Sequence, residues 1–415
     1  MSIVGQFKIP KPLLYLFLFF CFFPYLRILP INLDAQPYAL ILGFFITIFL
    51  LPRKLPKSIF ILLYIMIIAI LLWVAMGMQL VEFRSLMNYF SLFFITTASF
   101  LSLKYLNGLP YNLFKNSVYI WGIVGLIQFL FFPKFLTFLS YRGDISSMAY
   151  GRGVCSLAVE PSFYAMVIVL FFIINYINFK DYKSFKTLNI ILLIQLIITK
   201  SATVILFLSL SLIIYFIIRI IKQKKFSTLI LFSFGILIVF VLLPYFIDNT
   251  DSRLTNVISV LYHSPYLFLT MDYSVNNRFL HSFVPFYGFF DRLGIPNGFN
   301  HFAQYLNGLK EDPYFNNILV YNFNEEDRVK SAFSGLIFEL GVFGLPFIYL
   351  FRLIYIKLNE QRLNGLLMIL LIITMMINNM PFTQAILPFT LGNLLYICNS
   401  ESISLSNPQI AINKL

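Results

Sequence analysis

The chain has 415 residues, of which 60% are apolar and 11% charged, with 30 basic against 17 acidic side chains and a mean hydropathy of +0.84. Soluble domains are nearer half apolar and a quarter charged, so a string of ordinary soluble domains is excluded. The net charge of +13 does not call for nucleic acid, because membrane proteins keep Lys and Arg on their cytoplasmic side.

A membrane-spanning helix needs about 20 apolar residues. In chain order, apolar runs predict spans at 12–26, 36–52, 58–77, 85–103, 113–132, 161–179, 187–199, 202–221, 228–247, 335–355, 366–379 and 383–398. The expected fold is therefore an all-α polytopic membrane protein of about 12 helices, since helices satisfy every backbone group within the segment. The ten-residue alternation of an outer-membrane barrel is not visible. The short runs at 187–199 and 366–379 form hairpins with their successors, turning at Lys200-Ser201 and at Asn378 to Pro381. No small-x-small cleavage site follows the first run, which reads as a retained span. Cys21, Cys155 and Cys398 fall at different depths, so a disulfide framework is not expected.

Orientation follows from the basic residues. With the N-terminus in the cytoplasm, 18 of the 30 fall on cytoplasmic segments, 6 on short outer loops and 6 in one long outer loop, which fixes both termini inside. The chain then divides into helices 1–9 over 1–247, a large outer loop over 248–334, helices 10–12 over 335–398 and a tail over 399–415. The long loop carries all three histidines, His263, His281 and His301, and 9 of the 17 acids. A loop of that length is usually functional, and short helices lying on the membrane face are expected.

Four groups of outer-face residues can carry chemistry. The first is Arg142-Gly143-Asp144, Tyr150-Gly151-Arg152-Gly153 and Glu160-Pro161-Ser162. Glycine-flanked arginines can offer a planar fork to phosphate or carboxylate, although they can equally reach for lipid headgroups. Glu160 before Pro161 is also what plain helix capping requires. The second is the tight turn Thr199-Lys200-Ser201-Ala202-Thr203. The third, Asn276-Asn277-Arg278-Phe279-Leu280-His281 with His301 beyond it, suits sugars, whose faces stack on aromatics and whose hydroxyls bond amides. The fourth is Lys330-Ser331 followed by Gly341-Val342-Phe343-Gly344. There the glycines read as packing contacts, whereas Glu339 is an ionisable residue within an apolar run and a functional candidate. No phosphate-binding Gly-rich loop, paired Cys-x-x-Cys or helical His pair occurs, so neither metal nor cofactor is expected.

Together these features resemble the O-antigen polymerases called Wzy, which share a superfamily with the O-antigen ligases. Arg142, ten residues, Gly153 fits the Arg-x10-Gly pattern of such polymerases, while Arg278 meets Gly288 one residue early. The ligase-type signature of His, then Asn/Ser/Gln, nine residues and Gly-x-x-Gly is similar to Lys330, Ser331, nine residues, Gly341 and Gly344, with Lys in place of His. Lys200-Ser201-Ala202-Thr203 resembles a Ser-Arg-Thr-like hairpin turn of the superfamily, with Lys for Arg.

The resemblance implies a glycosyltransferase without a metal at the periplasmic face of a bacterial inner membrane, with both termini cytoplasmic. It would transfer a growing chain from undecaprenyl diphosphate to the non-reducing end of a new lipid-linked unit. Arg142, Arg152, Lys200 and Arg278 would bind the diphosphate, with Lys330 and His301 among the binding residues. Glu160, His281, His301 and Glu339 are the alternatives for the base. Membrane lipid, a chain-length regulator and a flippase of the same pathway are the implied partners, and nucleic acid is not. A ligase and a lipid-linked oligosaccharide flippase are the competing readings. Lys330 in place of His speaks against the first, and the scarcity of ionisable groups at mid-span against the second.

Overall fold

A computed structural model of the chain describes residues 9–50, 56–141, 153–223, 259–319 apart from 261, 265, 266, 271 and 272, and 328–404 apart from 362. The apolar runs fold as helices: α1 (Lys11–Phe22), α2 (Tyr38–Leu50), α3 (Lys57–Ala75), α4 (Phe83–Leu106), α5 (Tyr111–Leu130), α6 (Pro161–Phe179), α7 (Phe185–Ile198) and α8 (Ala202–Gln223). After them come α9 (Tyr273–Asp291), α10 (Phe302–Leu309), α11 (Pro313–Asn316), α12 (Ala332–Leu340), α13 (Pro346–Glu360), α14 (Gly365–Ile377) and α15 (Ile386–Ser404). Among the described residues there is no strand. The expected run at 228–247 and the tail beyond 404 lie outside the described residues.

Among the described residues, five helices are long and apolar enough to cross a membrane, or six if one bent pair counts as a single span. The chain is thus consistent with a multi-pass membrane protein. Other apolar helices, such as α1, α2 and α14, are shorter than the spans expected for them, at 12 to 13 residues. Burial separates the centre from the rim. In α4 and α6, 83% and 78% of the most apolar stretch is buried, against 33% in α3 and 22% in α8.

Small side chains let α4 be central. Ser85, Ser91, Thr96, Thr97, Ser99 and Ser102 are all buried along it. A Cβ on Gly392 of α15 would stand 2.4 Å from the Thr96 carbonyl oxygen and 2.6 Å from the Ser99 Cβ. The Thr96 hydroxyl donates to the Pro388 carbonyl at 3.1 Å. With lipid outside as apolar as any side chain, such close backbone approach is what holds membrane helices together.

The span expected over 335–355 is not straight. Ala332–Gly344 and Pro346–Glu360 meet at a 101° bend. Gly341 has φ +57°, and a Cβ there would lie 2.3 Å from the Gly294 carbonyl oxygen and 2.7 Å from the Pro296 nitrogen. The Gly294 carbonyl accepts from the Val342 N–H at 2.9 Å. Pro346 then opens α13, where the missing N–H no longer costs a helical bond.

The limb before the bend is covered by α9. The Ser334 hydroxyl donates to the Ser282 carbonyl at 2.7 Å, and the Asn297 N–H to the Phe338 carbonyl at 3.0 Å. Leu280, Val284, Phe302, Leu306 and Phe338 form a second apolar core here. The expectation of only short helices in the long loop is corrected by α9, which runs for 19 residues and packs its apolar face inward.

Gly392→Ala should destabilise the protein by about 1–3 kcal/mol, because the α4–α15 contact has no room for a methyl group. Gly308, with nothing within 4 Å of its Cβ position, should accept alanine without loss. Thermal melting of detergent-purified protein checks the pair; equal melting temperatures for the two variants would contradict the packing account.

Candidate functional site

Segments that the sequence assigns to the outer side converge at one end of the bundle. The segment 153–160 is fixed by a buried polar network. The Ser156 N–H donates to Gln128 Oε1 at 2.7 Å, and Gln128 Nε2 donates to the carbonyls of Ser156 at 2.8 Å and Phe135 at 2.7 Å. The Ser156 hydroxyl donates to the Trp121 carbonyl at 2.7 Å. Tyr164 OH donates at 3.0 Å to Gln195 Oε1, which ties in α7. Gly153 rests on the α7–α8 turn, where a Cβ would be 1.9 Å from the Thr199 carbonyl oxygen. Two of the short motifs, Gly153 and the Lys200 turn, are therefore neighbours.

This segment delivers Glu160 to the start of α6. Its side chain makes no capping bond there, so plain capping does not account for it. The carboxylate faces Arg278 of α9, with Nη2 and Oε2 3.5 Å apart. Arg278 Nη2 also donates to the Ser162 hydroxyl at 2.7 Å, and Nη1 to the Thr203 hydroxyl at 3.1 Å. One guanidinium thus joins the outer ends of α6, α8 and α9.

Two cavities meet at this pair. An apolar cavity of about 980 Å³, part of it open to solvent, is walled by Leu206, Phe207, Phe268, Phe279 and Phe283, with Lys200 and Thr203 at its polar end. A polar cleft of about 1830 Å³, part of it open to solvent, holds Arg84, Arg278, Arg328 and Lys330 together with Asp34 and Glu160. Glu160 and Arg278 line both. Among the described residues, four cations against two carboxylates favour an anionic occupant of the cleft.

The cations come from separate elements. Arg84 stands in the first turn of α4. Arg328 and Lys330 precede α12, whose start is clamped to the turn after α14: the Ala332 N–H donates to the Met380 carbonyl at 3.2 Å, and the Ser331 hydroxyl to Asn379 Oδ1 at 3.1 Å. Arg328 Nη1 donates to the Arg84 carbonyl. Burial, and after it the Arg84 charge, pulls the Arg328 guanidinium down to about 10, while Glu339 and Asp34 act in the opposite direction.

Of the residues singled out from sequence, Glu160, Lys200, Arg278 and Lys330 line the two cavities. Glu339 is buried behind the wall and accepts the Tyr89 hydroxyl at 2.5 Å. His281 is fully buried, accepting the Lys330 N–H at 3.4 Å through Nδ1, while Nε2 has no partner among the described residues. Burial, then Lys330 and Arg328, hold its imidazole well below the usual range and therefore neutral. His301 is exposed, lines neither cavity, and pairs Nδ1 with the Phe299 carbonyl at 2.7 Å. Arg142 and Arg152 lie outside the described residues.

Arg84, Arg328 and Asp34 were not singled out from sequence. Arg328 stands two residues before Lys330, and that Arg-Val-Lys spacing was the available signal. Asp34 is a lone charge in a short loop and Arg84 stands in the first turn of α4, and only the tertiary closure brings them in. No family model, curated protein or solved structure matches the chain.

Gln128→Leu removes two hydrogen bonds to the segment that carries Glu160 and a third to the Phe135 carbonyl, and leaves buried backbone groups unpaired, each at about 1–3 kcal/mol. A loss of several degrees in melting temperature is expected, with faster proteolysis within 153–160. Wild-type values on both counts would contradict the role given to this network.

Proposed function

We propose that the chain is a polymerase of lipid-linked oligosaccharide units, an O-antigen polymerase acting at the periplasmic face of a bacterial inner membrane. The observation that carries the reading is the Arg278–Glu160 pair on the wall shared by a cation-rich cleft and an apolar cavity. A ligand with an anionic head and a long apolar chain matches that junction, and an undecaprenyl-diphosphate-linked glycan is such a ligand. Cations at the head end, Arg278 and Lys200 nearest the junction, and Phe-rich walls at the chain end support it.

In this reading the topology is twelve spans, including 228–247, with both termini cytoplasmic and 248–334 periplasmic. The acceptor hydroxyl oxygen forms a glycosidic bond to the donor anomeric carbon. The bond from that carbon to the diphosphate oxygen breaks, and the electron pair leaves with the diphosphate. Arg278 and Lys200 neutralise the departing charge, a task for preorganised cations. The hydroxyl proton passes to a carboxylate. Of the four bases considered from sequence, Glu160 is the one that lines the cleft. Growing chain and new unit reach the cleft from the outside, where a flippase and a chain-length regulator would meet the enzyme.

Lipopolysaccharide from a strain deleted for this gene should show core capped with a single unit, and a plasmid copy should restore the ladder. A plasmid with Arg278→Ala should yield the single-unit band with protein still in the membrane, a loss of at least a hundredfold in long chains. A full ladder from Arg278→Ala would refute the reading.

A further inference from the structure

The four cleft cations are not one group. Among the described residues Arg278 alone of them also lines the apolar cavity, where Lys200 joins it. Arg84, Arg328 and Lys330 line the polar cleft and not the apolar cavity. We infer that Arg84, Arg328 and Lys330 form a second anion subsite, separate from Arg278 and Lys200, that takes a diphosphate group.

Like charges do not gather without a reason. Arg328 donates to the carbonyl of Arg84, so two arginines are in direct contact with Lys330 two residues along the chain. The cost of that crowding is visible on Arg328, whose guanidinium is pulled down by burial and by Arg84. Among the described residues, two carboxylates lie within electrostatic reach of Arg328. Glu339 is buried behind the wall and already takes the Tyr89 hydroxyl, which leaves Asp34 as the one on the cleft side. An anion with several oxygens suits three cations brought together from separate elements, and arginine forks match phosphoryl oxygens in geometry.

The neutral wall agrees. Gln384 and Asn379 both line the cleft. Gln384 turns Oε1 inward to accept Tyr25 OH at 2.7 Å, and Asn379 turns Oδ1 inward to accept the Ser331 hydroxyl at 3.1 Å. With their oxygens engaged, the amide groups have their N–H donors left to offer, which suits an anion. The subsite is also built in advance. Arg84 is fixed on α4, and Lys330 stands beside the clamp between Ser331 and Asn379.

Resting on the polymerase reading, the two subsites divide the work: Arg278 and Lys200 hold the diphosphate of the donor, and Arg84, Arg328 and Lys330 that of the acceptor. The bound acceptor would thereby present its glycan across the same cleft.

The test is a titration of the full-length protein, in nanodiscs of phosphatidylcholine, with inorganic diphosphate. Two sites are expected. Arg84→Gln and Lys330→Gln should each weaken one of them at least tenfold and spare the other; Arg278→Gln should do the reverse. Arg84 is exposed and Lys330 half-buried, so both variants should fold, and unchanged melting temperatures without diphosphate verify it. A single site, lost in Arg278→Gln and intact in Arg84→Gln and Lys330→Gln, overturns the proposal, as does absence of binding. The lipopolysaccharide ladder separates this from the reading it rests on. Two sites in a protein whose deletion leaves the ladder unchanged would keep the subsite and refute the polymerase. Two sites with a full ladder from Arg84→Gln would refute the acceptor assignment alone.

Discussion

A guanidinium held at the edge of an apolar helix bundle is the constraint on which the rest of this structure turns. Taking such a charge out of water costs several kcal/mol unless partners compensate it. Arg278, with its side chain 13% exposed, finds Glu160, Ser162 and Thr203. Each partner sits at the outer end of a different helix from its own, so the arginine can be satisfied only if α6, α8 and α9 end together. The buried Gln128–Ser156–Trp121 network is what keeps the Glu160 end in place. A buried ion pair adds little net stability over a well-packed apolar pair. Stability therefore gives no reason to keep a charge here, and a position between a polar cleft and an apolar cavity does.

The same economy explains the rest of the cleft. Its polar side chains are anchored from behind: Gln384 by Tyr25, Asn379 by Ser331, and Arg328 by the Arg84 carbonyl. Groups fixed in this way need no reorganisation when an anion arrives, which is the condition under which fixed charges act most strongly on a departing anion. His281 and Glu339 belong to this supporting layer by position. One backs the Lys330 main chain, and the other lies under Arg328 and holds Tyr89.

Much of the helical framework was legible in the sequence. The run at 161–179 coincides with α6, and the turn at Lys200-Ser201 falls between α7 and α8, because hydropathy and turn residues are local signals. The bend at Gly341 was not legible. The run 335–355 is apolar on both sides of it, and Gly341 and Gly344 fit a packing motif equally well. What decides is the Gly294 carbonyl, nearly fifty residues away, which occupies the space a Cβ at Gly341 would need. The site divides in the same way. Glu160, Lys200, Arg278 and Lys330 stood out because each lies in a recognisable short pattern. Arg84, Arg328 and Asp34 become a group only when the outer ends of the bundle close, and His301 stays outside both cavities.

In the reading proposed above, one amphipathic donor has its head in the polar cleft and its chain in the apolar cavity, joined at Arg278. A lipid diphosphate with a photoreactive group near the head end of its isoprenoid chain tests this directly. Cross-linking in membranes should label peptides from α8 and α9 around Leu206 and Phe279, and Arg278→Ala should abolish that labelling. Labelling spread over the lipid-facing helices, and indifferent to Arg278, would contradict the account.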